Sequence, residues 1–206
     1  PTMFEAGITS IAIDASHLPD DQNLTTNLEL KPFIPDWSGL ETEIGEIKGK
    51  LGLSTEAEAL FLIQGLNAHG IFPNWIALNN GTVHGIEASG QGIQIDLTQK
   101  IHQALADYHV SGAQHGTSGN SSQRLREIAN RTNTTKANVA TALQMISWGL
   151  DVNDDGNAAL DGNGDFIKVT DQGVTEAMWA KMVAYADNKG WKGGNYKKLN
   201  LPFENK

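Results

Sequence analysis

Val110-Ser111-Gly112-Ala113-Gln114-His115-Gly116-Thr117-Ser118-Gly119-Asn120-Ser121-Ser122-Gln123-Arg124-Leu125-Arg126-Glu127-Ile128 reads as one strand, one polar loop and the start of one helix. Small and apolar residues give way at His115 to glycines and hydroxyls, and Ser121 then stands as an N-cap candidate before an amphipathic run. The scheme recurs along the chain. β-like runs at 8–14, 40–45, 75–79, 110–115 and 137–143 end in polar exits near 14, 43, 79, 115 and 139, which are 29, 36, 36 and 24 residues apart. A parallel crossover with its helix takes about 30 residues, so this is the rhythm of βα units. Helical patterns fill the gaps at 54–62, where Glu56 and Glu58 follow a capping candidate, and at 101–106. The expected architecture is α/β with a parallel sheet, rolled or open.

Composition narrows the functional classes. A chain of 206 residues is one domain, or one domain with an appendage, and 15 Lys+Arg against 24 Asp+Glu leave it at −9. Such a balance argues against nucleic acid, whose backbone needs a clustered positive field. No stretch approaches the ~20 apolar residues of a membrane span, and nothing at the start reads as a signal peptide, so a cytoplasmic location without membrane contact is expected. Cys is absent, so a metal must be held by His, Asp and Glu. Character changes after 150: we expect a body at 1–150 and an extension at 151–206. Asp151-Val152-Asn153-Asp154-Asp155-Gly156-Asn157 resembles half a calcium loop, but loop position 12 falls on Gly162. A hairpin pairing 157–160 with 165–169 around Asp161-Gly162-Asn163-Gly164 accounts for it better. A helix is expected over 173–189, then a tail bearing Lys and aromatic residues.

Polar residues collect at the strand exits, where α/β folds place their sites because those loops converge on one face. His84-Gly85 and His115-Gly116 form two His-Gly pairs one strand apart, after the Glu-rich exit Glu41-Thr42-Glu43. Imidazole and carboxylate suit a borderline divalent ion such as Zn²⁺. Gly116-Thr117-Ser118-Gly119, leading into a capped helix, reads as a cradle of amides and hydroxyls for phosphate. A metal beside a phosphate suggests polarisation of a sugar-phosphate carbonyl. His17 is expected to serve a loop or cap, and His69, His102 and His109 to lie on the surface.

Leu40-Glu41-Thr42-Glu43-Ile44-Gly45, Gly81-Thr82-Val83-His84-Gly85, His115-Gly116-Thr117-Ser118-Gly119 and Thr135-Lys136-Ala137-Asn138-Val139-Ala140-Thr141-Ala142-Leu143 resemble, in order and spacing, the later strands of class II, metal-dependent fructose-bisphosphate and tagatose-bisphosphate aldolases. Ser10-Ile11-Ala12-Ile13-Asp14-Ala15-Ser16-His17-Leu18-Pro19 resembles the fourth strand of that family. The resemblance implies a (β/α)8 TIM barrel, of which this chain covers about the last five βα units plus a C-terminal extension. It makes His84 and His115 zinc ligands, with Glu43 as the carboxylate at the metal, although Glu41 shares its strand face. Gly85, Gly116, Thr117, Ser118 and Thr141 line the substrate phosphate, with a monovalent cation beside the glycines in some members. Asn138 lies near the substrate carbonyl, Asp14 and Ser16 near its mouth, and Glu46 is the acid available for proton transfer in a shortened loop.

The implied reaction is reversible aldol cleavage of a ketose 1,6-bisphosphate to dihydroxyacetone phosphate and an aldehyde. The first three strands of the family, with their Thr-Asp-His motif, have no counterpart here. The remaining ligand His and the catalytic Asp are therefore expected from a second polypeptide or segment. Family members are dimers or larger, which implies a homo-oligomer. The competing expectation is a catalytically silent half-barrel that binds phosphate or metal as an assembly module.

Overall fold

A computed structural model describes residues 2–45, 52–81 and 92–170, together with Glu176, Ala177, Ala180, Lys181, Val183 and Ala184, which are helical. The chain divides into two compact units. The first comprises Pro1–Val83, Gln91–His115 and Glu127–Asn138; the second comprises His84–Gly90, Gly116–Arg126 and Val139–Lys206.

Five strands order the first unit: β1 (Ser10–Ile13), β2 (Gly39–Ile44), β3 (Trp75–Leu78), β4 (Ser111–Gln114) and β5 (Thr134–Ala137). They pair in parallel, in chain order, β1-β2-β3-β4-β5. Order without reversal is that of a barrel wall, since a doubly wound sheet reverses at its switch point. Helices α1 (Thr2–Glu5), α2 (Asp20–Leu30), α3 (Glu56–Ala68) and α4 (Ile95–Ala104) precede or connect these strands, and α5 (Ser122–Arg131) leads into β5. Helix α3 starts at Thr55 with a capping box: Thr55 Oγ1 accepts from the Glu58 amide at 3.2 Å and Glu58 Oε2 from the Thr55 amide at 2.7 Å.

Period-two alternation sorts β2 into two faces. Leu40 and Ile44 point into the apolar core, with Ile76 and Leu78 of β3 and Ala59, Leu62, Ile63 and Leu66 of α3. Thr42, between them, donates to Asn27 Oδ1 of α2 at 3.0 Å. Glu41 and Glu43 occupy the other face. Register there aligns Ala12, Glu41, Trp75 and Ser111 in one row, and Glu43, Ala77, Ala113 and Lys136 in the next.

The second unit contains α6 (Thr141–Ser147), whose Ala142, Met145 and Ile146 pack with Val152 and Ala158. Antiparallel bridges Val152↔Ala158, Leu160↔Phe166 and Leu150↔Lys168 follow. The turn expected around 161–164 is present, with Asp161 Oδ1 accepting from the amides of Asn163 and Asp165.

Two expectations are corrected. The fifth strand is Thr134–Ala137; of the run expected as strand at 137–143 only Ala137 belongs to it, 138–140 form the connection, and Thr141, Ala142 and Leu143 open α6. Its Val-Ala-Thr-Ala-Leu composition suits strand or helix, and the Ser118 hydroxyl decides by accepting from the Ala142 amide at 3.1 Å. His102 is buried, at 7% exposure, rather than on the surface. Its ring lies against Gly112, where a Cβ would collide with it, so the glycine makes room for a histidine.

The Asn133 amide donates to His102 Nδ1 at 3.2 Å, which puts the ring proton on Nε2, an atom with no hydrogen-bond partner among the described residues. Burial lowers its pKa from 6.5 to about 4. The unfolded chain therefore binds the extra proton between those values. This contribution is intact above about pH 6.5 and is lost as pH falls toward 4, by roughly 3 kcal/mol in total. Thermal unfolding of wild type and His102→Gln across that range should show the steeper decline in wild type; parallel curves would contradict it.

Candidate metal centre

Glu41, Glu43, His115, Lys136 and Asn138 all belong to the first unit. A flat parallel sheet would hold β2 and β5 about 14 Å apart, yet Lys136 Nζ pairs directly with Glu41 Oε2 and Asn138 Nδ2 donates to Glu41 Oε1 at 3.0 Å. The sheet curls about this face. Ala77 and Ala113, in the row between Glu43 and Lys136, leave the lysine room to reach across. Lys136 also lies 5.5 Å from the centre of the Trp75 ring, a cation–π distance.

Glu41 is fully buried, at 0% exposure, and Glu43 and His115 are buried at 6% and 8%. His115 Nε2 lies 2.6 Å from Glu41 Oε1 and 3.6 Å from Glu43 Oε1. One ligand atom from each of Glu41, Glu43 and His115 falls within 4.8 Å of the others. The two carboxyls respond oppositely. Burial alone would raise Glu41, but hydrogen bonds from His115 and Lys136, reinforced by their charges, hold it below the usual carboxylate range. Burial dominates at Glu43, and Asp14 and Glu41 add repulsion, so its pKa rises from 4.5 to about 7 against the pull of His115. At His115 burial is outweighed by the Glu41 hydrogen bond and the charges of both carboxylates, which raise it.

The fold thus brings together His115, Glu43 and Asn138 from the residues singled out in the sequence. It adds Glu41 as a hub and Lys136, whose signal was a single Lys in the otherwise uncharged strand Thr134-Thr135-Lys136-Ala137. His84, Gly85 and Glu46 lie outside the described residues. Asp14 Oδ1 accepts from the Ser16 amide and hydroxyl, at 3.2 and 2.7 Å, in a local turn.

Gly116, Thr117, Ser118 and Thr141 lie in the second unit. There Gly116 and Gly119 take positive φ, the Gly119 amide donates to the Asp155 carbonyl at 2.7 Å, and Thr117 and Ser118 are buried. Thr141 opens α6.

An imidazole and two carboxylates, with no thiol in the chain, fit a divalent ion of borderline character by their donor chemistry. A metal at such a centre draws on ionised carboxylate and neutral imidazole.

Without metal, the proton held by folded Glu43 between about pH 4.5 and 7 is lost from the unfolded chain, so stability falls as pH rises through that window. Glu43→Gln should therefore stabilise the chelator-treated protein by roughly 3 kcal/mol above pH 7, and by little below 4.5. Urea unfolding on both sides of the window checks this. Lys136→Met should cost about 3–5 kcal/mol at neutral pH by stranding the buried Glu41 carboxylate. Unchanged stability there would mean that the pair is not holding the sheet.

The sequence matches the family model "Fructose-bisphosphate aldolase class-II" over residues 2–191. Fructose-bisphosphate aldolase of Streptococcus pyogenes is 30% identical over 160 residues, covering 69% of this chain and 48% of the relative. Among solved structures, a protein of Coccidioides immitis described as a fructose-1,6-biphosphate aldolase is 26% identical at a TM-score of 0.55, covering 67% of this chain and 50% of that one. The YdjI aldolase of Escherichia coli K12 shares the fold at a TM-score of 0.55 and 20% identity, over 71% of this chain and 49% of that one. The chain spans about half the length of the curated relatives it matches. With its consecutive parallel strands and the family's match to nearly its whole length, the chain belongs to the class II fructose-bisphosphate aldolase family.

Proposed function

We propose that this chain is the C-terminal part of a zinc-dependent class II aldolase, cleaving fructose or tagatose 1,6-bisphosphate to dihydroxyacetone phosphate and an aldehyde. The observation that carries the reading is the buried gathering of His115 with two carboxylates on one face of the sheet. His115, Glu43 and His84 would hold the metal together with a histidine from outside the chain. A bound divalent ion supplies Lewis acidity toward the ketose carbonyl.

The residues of this chain do the rest. Asn138 orients the carbonyl end of the substrate with its amide. Gly85, Gly116, Thr117, Ser118 and Thr141 receive the phosphate, with a monovalent cation beside the glycines. Glu46 moves a proton, and the catalytic Asp comes with the missing strands from a second polypeptide or segment. The working form is a homo-oligomer, and the setting is cytoplasmic carbohydrate metabolism, including glycolysis. Among the described residues no helix is long and apolar enough to cross a membrane.

The competing reading is a silent half-barrel that binds metal or phosphate as an assembly module; the buried Glu41, Glu43 and His115 would give it a metal site without the missing strands.

Zinc titration of the 206-residue chain, with coupled assays of both bisphosphates, separates the readings. The aldolase reading expects zinc binding that is lost in His115→Ala, and cleavage that appears when a polypeptide carrying the Asp-His strand is added. Zinc binding with no cleavage after that addition would favour the module; no zinc binding would overturn the metal centre itself.

A further inference from the structure

A lysine has a flexible four-carbon stem, and one that answers a buried carboxylate must be held in a single geometry. Lys136 Nζ is engaged twice: it pairs with Glu41 Oε2 and lies 5.5 Å from the centre of the Trp75 ring. Trp75 stands directly beside Glu41 in the β2–β3 register, on the same face of the sheet. Its indole is fixed at both ends. Nε1 donates to Thr135 Oγ1 at 3.1 Å, and on the other side a Cβ added to Gly39 would come within 2.6 Å of a ring carbon, so the glycine leaves the ring its place. The indole therefore lies across the face from β2 to β5. Strand β5 is built to meet it. Gly112 pairs with Thr134 and Ala113 with Lys136, which leaves Thr135 as an extra residue between the two pairs. Regular alternation sends consecutive side chains to opposite faces, whereas this bulge lets Thr135 and Lys136 both reach one indole. The ring also borders a cavity of about 530 Å³ at the amino ends of β3 and β4, together with Ser111 and Thr135.

We propose that Trp75 is a positioning residue for Lys136: its indole, pinned between Gly39 and Thr135, is the floor on which the ammonium rests, and it keeps that ammonium on Glu41 and out of the water of the adjoining cavity. The negative face of the ring attracts the cation, and the attraction gains strength where water is excluded. Glu41 is at 0% exposure, so any excursion of the lysine strands a charge that water cannot reach. The inference goes beyond the aldolase reading, because it needs neither a bound ion nor the strands proposed to come from elsewhere. Side chains of this chain alone hold the charged pair together, and the bulge at Thr135 is the backbone feature that allows it.

The test reads Lys136 in the 206-residue chain without metal or substrate, so its failure would leave the aldolase reading standing. Limiting acetic anhydride followed by peptide mass spectrometry gives the acetylation rate of each lysine, with Lys100, whose side chain is 68% exposed against 26% for Lys136, as the internal reference. Lys136 should react more slowly than Lys100 in wild type. Trp75→Leu should raise its rate about 5–30-fold relative to that reference. Trp75→Phe, which keeps a ring without the N–H, should recover most of the protection, and Thr135→Val, which removes the acceptor at constant shape, should give an intermediate rate. In spectra of ¹³C-lysine protein, with Lys136 assigned by its loss in Lys136→Arg, the ε-methylene protons should lie upfield through the ring current of the indole, and this displacement should vanish in Trp75→Leu. Packing alone produces neither that displacement nor the effect of Thr135→Val. If Trp75→Leu fails to fold by circular dichroism, the wild-type ε-methylene position and Thr135→Val decide. An ε-methylene at the ordinary lysine position in wild type would overturn the proposal. Protection unchanged in folded Trp75→Leu would also overturn it, and would give the holding of Lys136 to Glu41 alone.

Discussion

A charged carboxylate with no access to water must be answered from inside the protein, and in this chain the answer comes from several strands at once. Glu41 on β2 is met by His115 at the end of β4, Lys136 on β5 and Asn138 just beyond it. Those partners reach it only because the sheet curls and because Ala77 and Ala113 withhold bulk from the row between. An ion pair of this kind is weak as net stabilisation, yet removing one partner is costly because the other charge is stranded. The cluster therefore constrains geometry more than it adds free energy. It ties the polar face of the sheet to one curvature, while Leu40, Ile44, Ile76 and Leu78 fill the opposite face against the helices.

Much of this was legible in the sequence. The regular spacing of polar exits identifies parallel βα units, because a crossover has a minimum length and its loops fall at one end of the sheet. Local sequence draws the last strand too late because Val139, Ala140 and Thr141 suit a strand as well as a helix, and the deciding interaction comes from Ser118, more than twenty residues earlier in the chain. The burial of His102 is hidden from the sequence for a similar reason. Its position on α4 gives no hint that Gly112 opens a slot for the ring or that the Asn133 amide supplies its partner. Tertiary contacts decide both cases, and local pattern carries no trace of them.

The candidate centre shows the same division. Period two puts Glu41 and Glu43 on one face, and sequence alone leaves the choice between them open. The structure separates them through Lys136, whose ammonium answers Glu41 and leaves Glu43 to burial and to repulsion from Asp14. One carboxyl is held ionised and the other is pushed to about 7, although they stand two residues apart on one strand. Environments that drive paired acids in opposite directions assign them different work.

That difference bears on which acid suits a metal. Placing a cation against Glu41 sets it beside a lysine already engaged there, and the gain in attraction is reduced by repulsion between the two positive charges. At Glu43 the same cation displaces a proton from a carboxyl that burial has made reluctant to ionise, and it relieves the repulsion from Asp14 and Glu41. The metal-free site thus holds an unfavourable charge balance that a divalent ion would correct. Glu41 is already answered by His115, Lys136 and Asn138, whereas Glu43 stands where positive charge is lacking.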